Sequence, residues 1–155
     1  MNGTIICTID DSEGVDAAVQ VARRLAERFD ARMLLVSIAD GFGARTENGE
    51  GLSARQARAG AEQRLERIVT EHDLPHEEHR VSVGDPVEAV AMIAAEEAAD
   101  LIVVGARRGL LGHALRSPLA RGLAATASCP VLVAPPESTQ AVTGRTGRAR
   151  SVRLS

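Results

Sequence analysis

The residues with chemistry to offer crowd into one stretch, 105–121. Gly105, Gly109 and Gly112 stand there among Arg107, Arg108, His113 and Arg116, and Ser117-Pro118 follows them. Arginine forks grip phosphate or carboxylate at two points. Glycine lets a backbone approach an anion closely. Ser-Pro starts a helix, because serine caps it and proline fits its first turn. The run Leu101-Ile-Val-Val104 before the loop is short and β-branched, so it reads as a buried strand. Val131 to Val133, after Pro130, reads as another. A glycine-bearing loop therefore joins the carboxyl end of a strand to the start of a helix. Unpaired N–H groups and the helix dipole favour an anion at such a junction.

Charge points the same way. Twenty acids and ten arginines lie at or before Asp100, a net −10; eight arginines and the single Glu137 follow, a net +7. The overall −3 hides that split, which suggests an anionic partner. Other chemistries drop out. Lysine is absent from the 155 residues, which excludes a lysine Schiff base and a P-loop. Phe29 and Phe42 are the only aromatics, too few for base-stacking platforms, so nucleic acid is not an expected partner. Cys7 and Cys129 form no metal pattern, and Cys7 reads as a small core residue. His72, His76 and His79 straddle Pro75 and read as surface histidines. No nucleophile–base pair can be read, so catalysis is not predicted. The N-terminus lacks a basic start and no apolar run reaches membrane length, so a reduced, cytoplasmic protein away from membranes is expected.

The elements that must hold the loop follow from periodicity. Thr4 to Ile9 is a strand, and Asp10-Asp-Ser-Glu13 turns into a helix that Ser12 or Asp11 would cap. Val15, Ala18, Val19, Ala22, Leu25, Ala26 and Phe29 form its apolar stripe. Met33 to Ile38 is a second strand, and 40–51 a glycine-rich connection. A helix over 53–72 turns Ala57, Ala61, Leu65, Ile68 and Val69 inward and leaves alternating Arg and Glu to solvent. His79 to Val83 is a third strand. Asp85-Pro86 caps a third helix with Val87, Val90, Ala91, Ala94 and Ala98 as its stripe. The fourth strand, the loop, a helix from Ser117 and the last strand complete the chain. Such alternation predicts an α/β three-layer sandwich, a five-stranded parallel sheet with helices on both faces and right-handed crossovers. Its ligand site lies outside the carboxyl ends of the strands, where strand order reverses. The domain is expected over 1–136, and 137–155, rich in Ser, Thr, Gly and Arg, as a flexible basic tail.

Four motifs taken together resemble the universal stress protein family: Thr4-Ile-Ile-Cys-Thr-Ile-Asp10 with Ser12-Glu13, Gly84-Asp-Pro86, Ala99-Asp-Leu-Ile-Val-Val-Gly105, and Cys129-Pro-Val-Leu-Val133. The resemblance covers roughly residues 3–135. It implies a Rossmann-like fold of the adenine nucleotide alpha hydrolase kind, strand order 3-2-1-4-5. It also implies a homodimer paired through Val131–Val133, and ATP or AMP with magnesium as a non-covalent ligand. It implies Asp10 and Ile38 near adenosine and the glycines from Gly105 at phosphate; with the chain's own arginines and free N–H groups, the candidate site is Ile9, Asp10, Ile38, Gly105, Arg107, Arg108, Gly109, Ser117 and Leu119.

The family's ATP-binding pattern after the fourth strand is G-x2-G-x9-G-S/T, and this chain departs from it. Gly105 matches, Gly109 comes one residue late with Arg108 in the expected place, and the Gly-Ser pair falls on Ser117-Pro118. Pro118 has no N–H to give. Against that loss, Arg107, Arg108, Arg116 and Arg121 could clamp phosphate, and Leu119 and Ala120 offer N–H groups. The leading expectation is a regulatory module binding an adenine nucleotide or another anion. The rivals are a dimeric interaction protein without nucleotide and a slow ATPase or nucleotide transferase.

Overall fold

The computed structural model describes residues 3–40, 53–74, 77–108 and 115–136. Its elements run β1 (Thr4–Thr8), α1 (Val15–Phe29), β2 (Arg32–Ala39), α2 (Ala54–Glu71), β3 (Glu78–Val83), α3 (Pro86–Glu96), β4 (Leu101–Gly105), β5 (Arg107–Arg108), β6 (Leu115–Arg116), α4 (Pro118–Thr126) and β7 (Val131–Ala134). Five strands form one sheet in the order β3-β2-β1-β4-β7, every neighbouring pair parallel. This is the expected order 3-2-1-4-5. The fifth sheet strand is seventh in the chain because the antiparallel ladder β5·β6, Arg107 opposite Arg116, closes the base of the arginine loop. Gly109, Gly112 and His113 of that loop lie outside the described residues, as does the proposed tail at 137–155. No helix among the described residues is long and apolar enough to cross a membrane.

Strand alternation builds the two cores. Ile5, Cys7, Ile9, Met33 and Leu35 face α1 and α2; Ile6, Leu34, Val36, Ile102 and Val104 face α3 and α4. Every residue of β1 is buried, since both faces are covered. Cys7 is fully buried and its thiol is pushed up, by burial first and by Asp10 second.

Three helix starts follow their local chemistry. Ser53 Oγ accepts from Gln56 N at 3.2 Å while Gln56 Oε1 accepts from Ser53 N at 3.0 Å, a reciprocal cap. Asp85 accepts from Glu88 N at 3.0 Å, and Ser117 Oγ from Ala120 N at 3.0 Å, each with proline next. Other details depart from expectation. The first stripe ends at Ala26, and Phe29 stands 66% exposed beside Asp30, which ends α1 in the left-handed region. The third helix buries Ala89, Val90, Ile93 and Ala94; Ala98 lies past its end at φ 51°. His72 is not a plain surface histidine. Its Nε2 lies 2.8 Å from Asp16 Oδ1, and its carbonyl accepts from Arg23.

Neither Ser12 nor Asp11 caps α1. Gly14 does, without a side-chain bond, because the turn is pressed against the end of β4. Gly14 N donates to Ala106 O at 3.0 Å, and Ala106 N to Ala134 O at 2.9 Å. A Cβ on Gly105 would fall 2.6 Å from Gly14 C and 2.7 Å from Ser12 Oγ. A Cβ on Gly14 would fall 2.6 Å from both Ala106 N and Ala134 O. Backbone stands on both sides, so neither neighbour can yield by changing rotamer.

Gly105→Ala should therefore lower stability by about 1–3 kcal/mol, the cost of overpacking a rigid contact. On the open helical position Gly60, where an added Cβ meets nothing nearer than Arg64 Nη1 at 3.9 Å, alanine should gain about 1 kcal/mol. Chemical unfolding of the two variants checks both signs.

Candidate functional site

A cleft of about 570 Å³ opens at the carboxyl ends of β1, β2 and β4. That volume suits a small-molecule ligand. It lies where strand order reverses, since β1 pairs with β2 on one side and β4 on the other. Ile9, Asp10, Ile38, Gly105, Arg107, Ser117 and Leu119 all line it, so seven of the expected residues meet in one place. Arg108 is not among its lining residues. Its N–H donates to Glu13 Oε1 at 2.9 Å and its Nε lies 3.6 Å from Glu13 Oε2. Arg116 and Arg121 line a separate depression of about 300 Å³ beside β7.

The two ends of the cleft differ. Toward α2 and α3 the walls are Ile38, Ala39, Ala57, Val87 and Val90, with the polar side chains of Asp40, Gln56 and Arg64 beside them. Toward α4 they are Arg107, Ser117 and Leu119. Ala120 N, expected to be free, is taken by the Ser117 cap, and Pro118 has no N–H. Leu119 N carries no hydrogen bond among the described residues. Asp10 does not cap α1. Its Oδ1 accepts from Ser12 N at 2.9 Å, which folds the β1–α1 turn and fixes the carboxylate at the cleft floor.

The expected positive potential is not what the lining carries. Asp10, Asp11 and Asp40 stand against Arg64 and Arg107. The Arg107 guanidinium is paired with the Asp11 carboxylate, and Arg108 with Glu13. Part of the −10/+7 split is thus settled inside the chain, acids of the first turn meeting arginines of the loop. Gly105 also changes role: the space of its missing Cβ is filled by Gly14 and Ser12.

Arg64 was missed by sequence reasoning, which left the charges of α2 to solvent. Its Nη2 donates to the Ile38 carbonyl at 3.2 Å, and its Nε is buried without a partner. A signal existed. Arg64 lies three residues after Ala61 and seven after Ala57, at the margin of the inward stripe. Of the described residues, no three His, Cys, Asp or Glu side chains cluster as a metal site. Magnesium held mainly by phosphate oxygens needs only one or two carboxylates, and Asp10 is placed to be one.

The Arg107 hydrogen bond is the main cause holding the Asp11 carboxyl below its ordinary range. A lowered folded value means that the pair stabilises the fold at neutral pH and is lost as pH falls through that value. Both side chains are substantially exposed, so the contribution is at most about 1 kcal/mol. Carbon NMR of the Asp11 carboxyl should show a midpoint below that of an ordinary aspartate, and Arg107→Gln should move it upward. An unchanged midpoint would refute the pairing.

Comparison with known proteins agrees with this architecture. The universal stress protein family profile matches residues 1–135. A protein of Thermus aquaticus, named universal stress protein in QAH/OAS sulfhydrylase 3'region, is 32% identical over 135 residues, spanning 84% of this chain and 96% of its own. Among solved structures, UspA of Lactobacillus plantarum is 23% identical, with a TM-score of 0.61 over 85% of this chain and 97% of its own. A universal stress protein in complex with cAMP gives 22% and 0.56 over 87% and 98%. A family protein of Arabidopsis thaliana with AMP bound gives 17% and 0.58 over 88% and 93%. At these identities the solved structures speak for the fold; the profile and the Thermus relative speak for descent. The chain belongs to the universal stress protein family.

Proposed function

We propose that this chain is a regulatory binding module that holds a purine nucleotide in the cleft, weakly. One observation carries the reading: at the strand-order reversal the cleft has one end walled by Ile38, Ala39, Ala57, Val87 and Val90 with Asp40, Gln56 and Arg64 beside them, and another with Arg107, Ser117 and Leu119, whose N–H has no partner among the described residues. A base fits the first and a phosphate the second. Asp10, at the floor between them, accepts from a ribose hydroxyl or shares a magnesium ion with phosphate. Ile9 and Ile38 flank the sugar and base. The proteins of the same fold that hold AMP and cAMP support a nucleotide of this size, with ATP and magnesium as the larger variant. Binding is weak because a phosphate must displace Asp11 from Arg107 and finds no N–H at Pro118.

The regulatory output passes through a homodimer. Leu132 and Val133 of β7 are 39% and 40% exposed. They sit on a sheet-edge strand, and such an edge invites pairing with a second copy. A second reading, an interaction protein that takes no nucleotide, draws on the arginines already paired with Asp11 and Glu13.

Calorimetry and thermal unfolding with AMP separate the two. Ligand at about 100 times Kd should raise stability by about 2.7 kcal/mol. Asp10→Ala should weaken AMP by about tenfold, the loss of one charge-assisted hydrogen bond. Absence of heat and of any thermal shift at millimolar AMP, ATP and cAMP would leave the interaction protein standing.

A further inference from the structure

We propose that the Asp11 carboxylate is a built-in competitor for this cleft: it occupies, on Arg107, the position a ligand's phosphate takes, and so lowers the affinity for anionic ligands while leaving neutral ones untouched. The inference rests on the nucleotide reading and describes how that same site is regulated.

Three observations carry it. Asp11 and Arg107 both line the cleft and are paired with each other, so the carboxylate stands in the space a ligand would fill. It also stands in the field of Arg64 and Arg107, the two arginines that line the cleft among the described residues. The Arg107 hydrogen bond is the main cause holding its carboxyl below the ordinary range, and the charge of Arg64 adds to it. An anion gains most where two such fields overlap, and there the chain has placed one of its own. The turn, finally, is tied to the segment that presents Arg107. Glu13 Oε1 accepts from Arg108 N at 2.9 Å, and Gly14 N donates to Ala106 O at 3.0 Å. Arg107 lies between two residues bonded to that turn, so Asp11 stays within reach of it.

Opening the pair requires only a side-chain rotation. The Asp11 side chain is 75% exposed, so a change of rotamer carries the carboxylate into water while the turn stays in place. A phosphate that takes its position restores charge-assisted hydrogen bonds to the same guanidinium. The cost of the exchange is the pair itself, which for an exposed ion pair corresponds to at most about fivefold in affinity. A neutral nucleoside places nothing at Arg107 and leaves the pair closed. Asp11 is ionised at neutral pH, because its carboxyl is held below the ordinary range, so there the pair opens to an anion and not to a proton.

Asp11→Asn removes the charge and keeps the size, and AMP and adenosine are the probes. Calorimetry on the full chain should find AMP bound about threefold to fivefold more tightly by Asp11→Asn, with the response to adenosine unaltered. In an Arg107→Gln background the same substitution should change AMP affinity by less than about twofold, because no guanidinium is left to release. An equal gain in both backgrounds overturns the inference, since it reduces Asp11 to a diffuse negative charge. AMP held by Asp11→Asn no more tightly than by the unmodified chain also overturns it and leaves the nucleotide reading standing. Binding of AMP by Asp11→Asn alone supports both, and binding by neither protein overturns both.

Discussion

The geometry of the cleft depends on a meeting of two backbones. Gly14 and Gly105 approach so closely that neither can carry a side chain, and hydrogen bonds through Ala106 tie that contact to Ala134. The reason is volume rather than dihedral freedom: Gly14 has φ −89°, open to any residue. Repulsion at such distances is steep, so the contact fixes where the β1–α1 turn lies against the ends of β4 and β7. Asp10 and Asp11 are thereby set beside the base of the arginine loop. Had the turn stood one side chain farther away, the two strand ends would still pair, but the turn and the loop would no longer share a wall.

That proximity decides the electrostatics. Two acids from the turn meet two arginines from the loop, and each takes one. A carboxylate at Arg107 is the internal counterpart of a ligand phosphate, with less charge and fewer acceptor oxygens. Exchange of one for the other needs no new cavity, only that the incoming group outcompete Asp11. The same attraction explains the bare start of α1. Asp11 is engaged with the loop and Asp10 folds its own turn, so the helix begins at a glycine without a side-chain cap.

At the opposite end of the cleft the chain places a cation on its own backbone. Arg64 donates to the Ile38 carbonyl from outside the sheet, at a strand end where that acceptor would otherwise face the cleft. Selectivity in such a site comes from which polar groups are already paired before the ligand arrives. A carbonyl that already accepts from a guanidinium keeps a second lone pair, so Arg64 weakens the Ile38 acceptor without removing it.

How much of this was legible in the residues depends on the range of each interaction. Caps at Ser53, Asp85 and Ser117 were readable because cap and partner lie three residues apart. Buried strands were readable because both faces of a parallel sheet demand apolar residues. Asp10, Ile38 and Gly105 were legible as a group only through the family motif and the rule that ligands gather at strand ends. Pairings such as Arg107 with Asp11, 96 positions apart, carry no local signature. The exposed Phe29 was misread because a helical stripe does not record where its neighbours stop. Arg64 was misread because its direction depends on how α2 is rotated against β2. By itself, then, the sequence determined the elements, their caps, the parity of the two cores and the family. Tertiary structure alone decided which charges neutralise one another, why Gly105 must be glycine, and which guanidinium enters the cleft, because each is set by distances between segments remote in the chain.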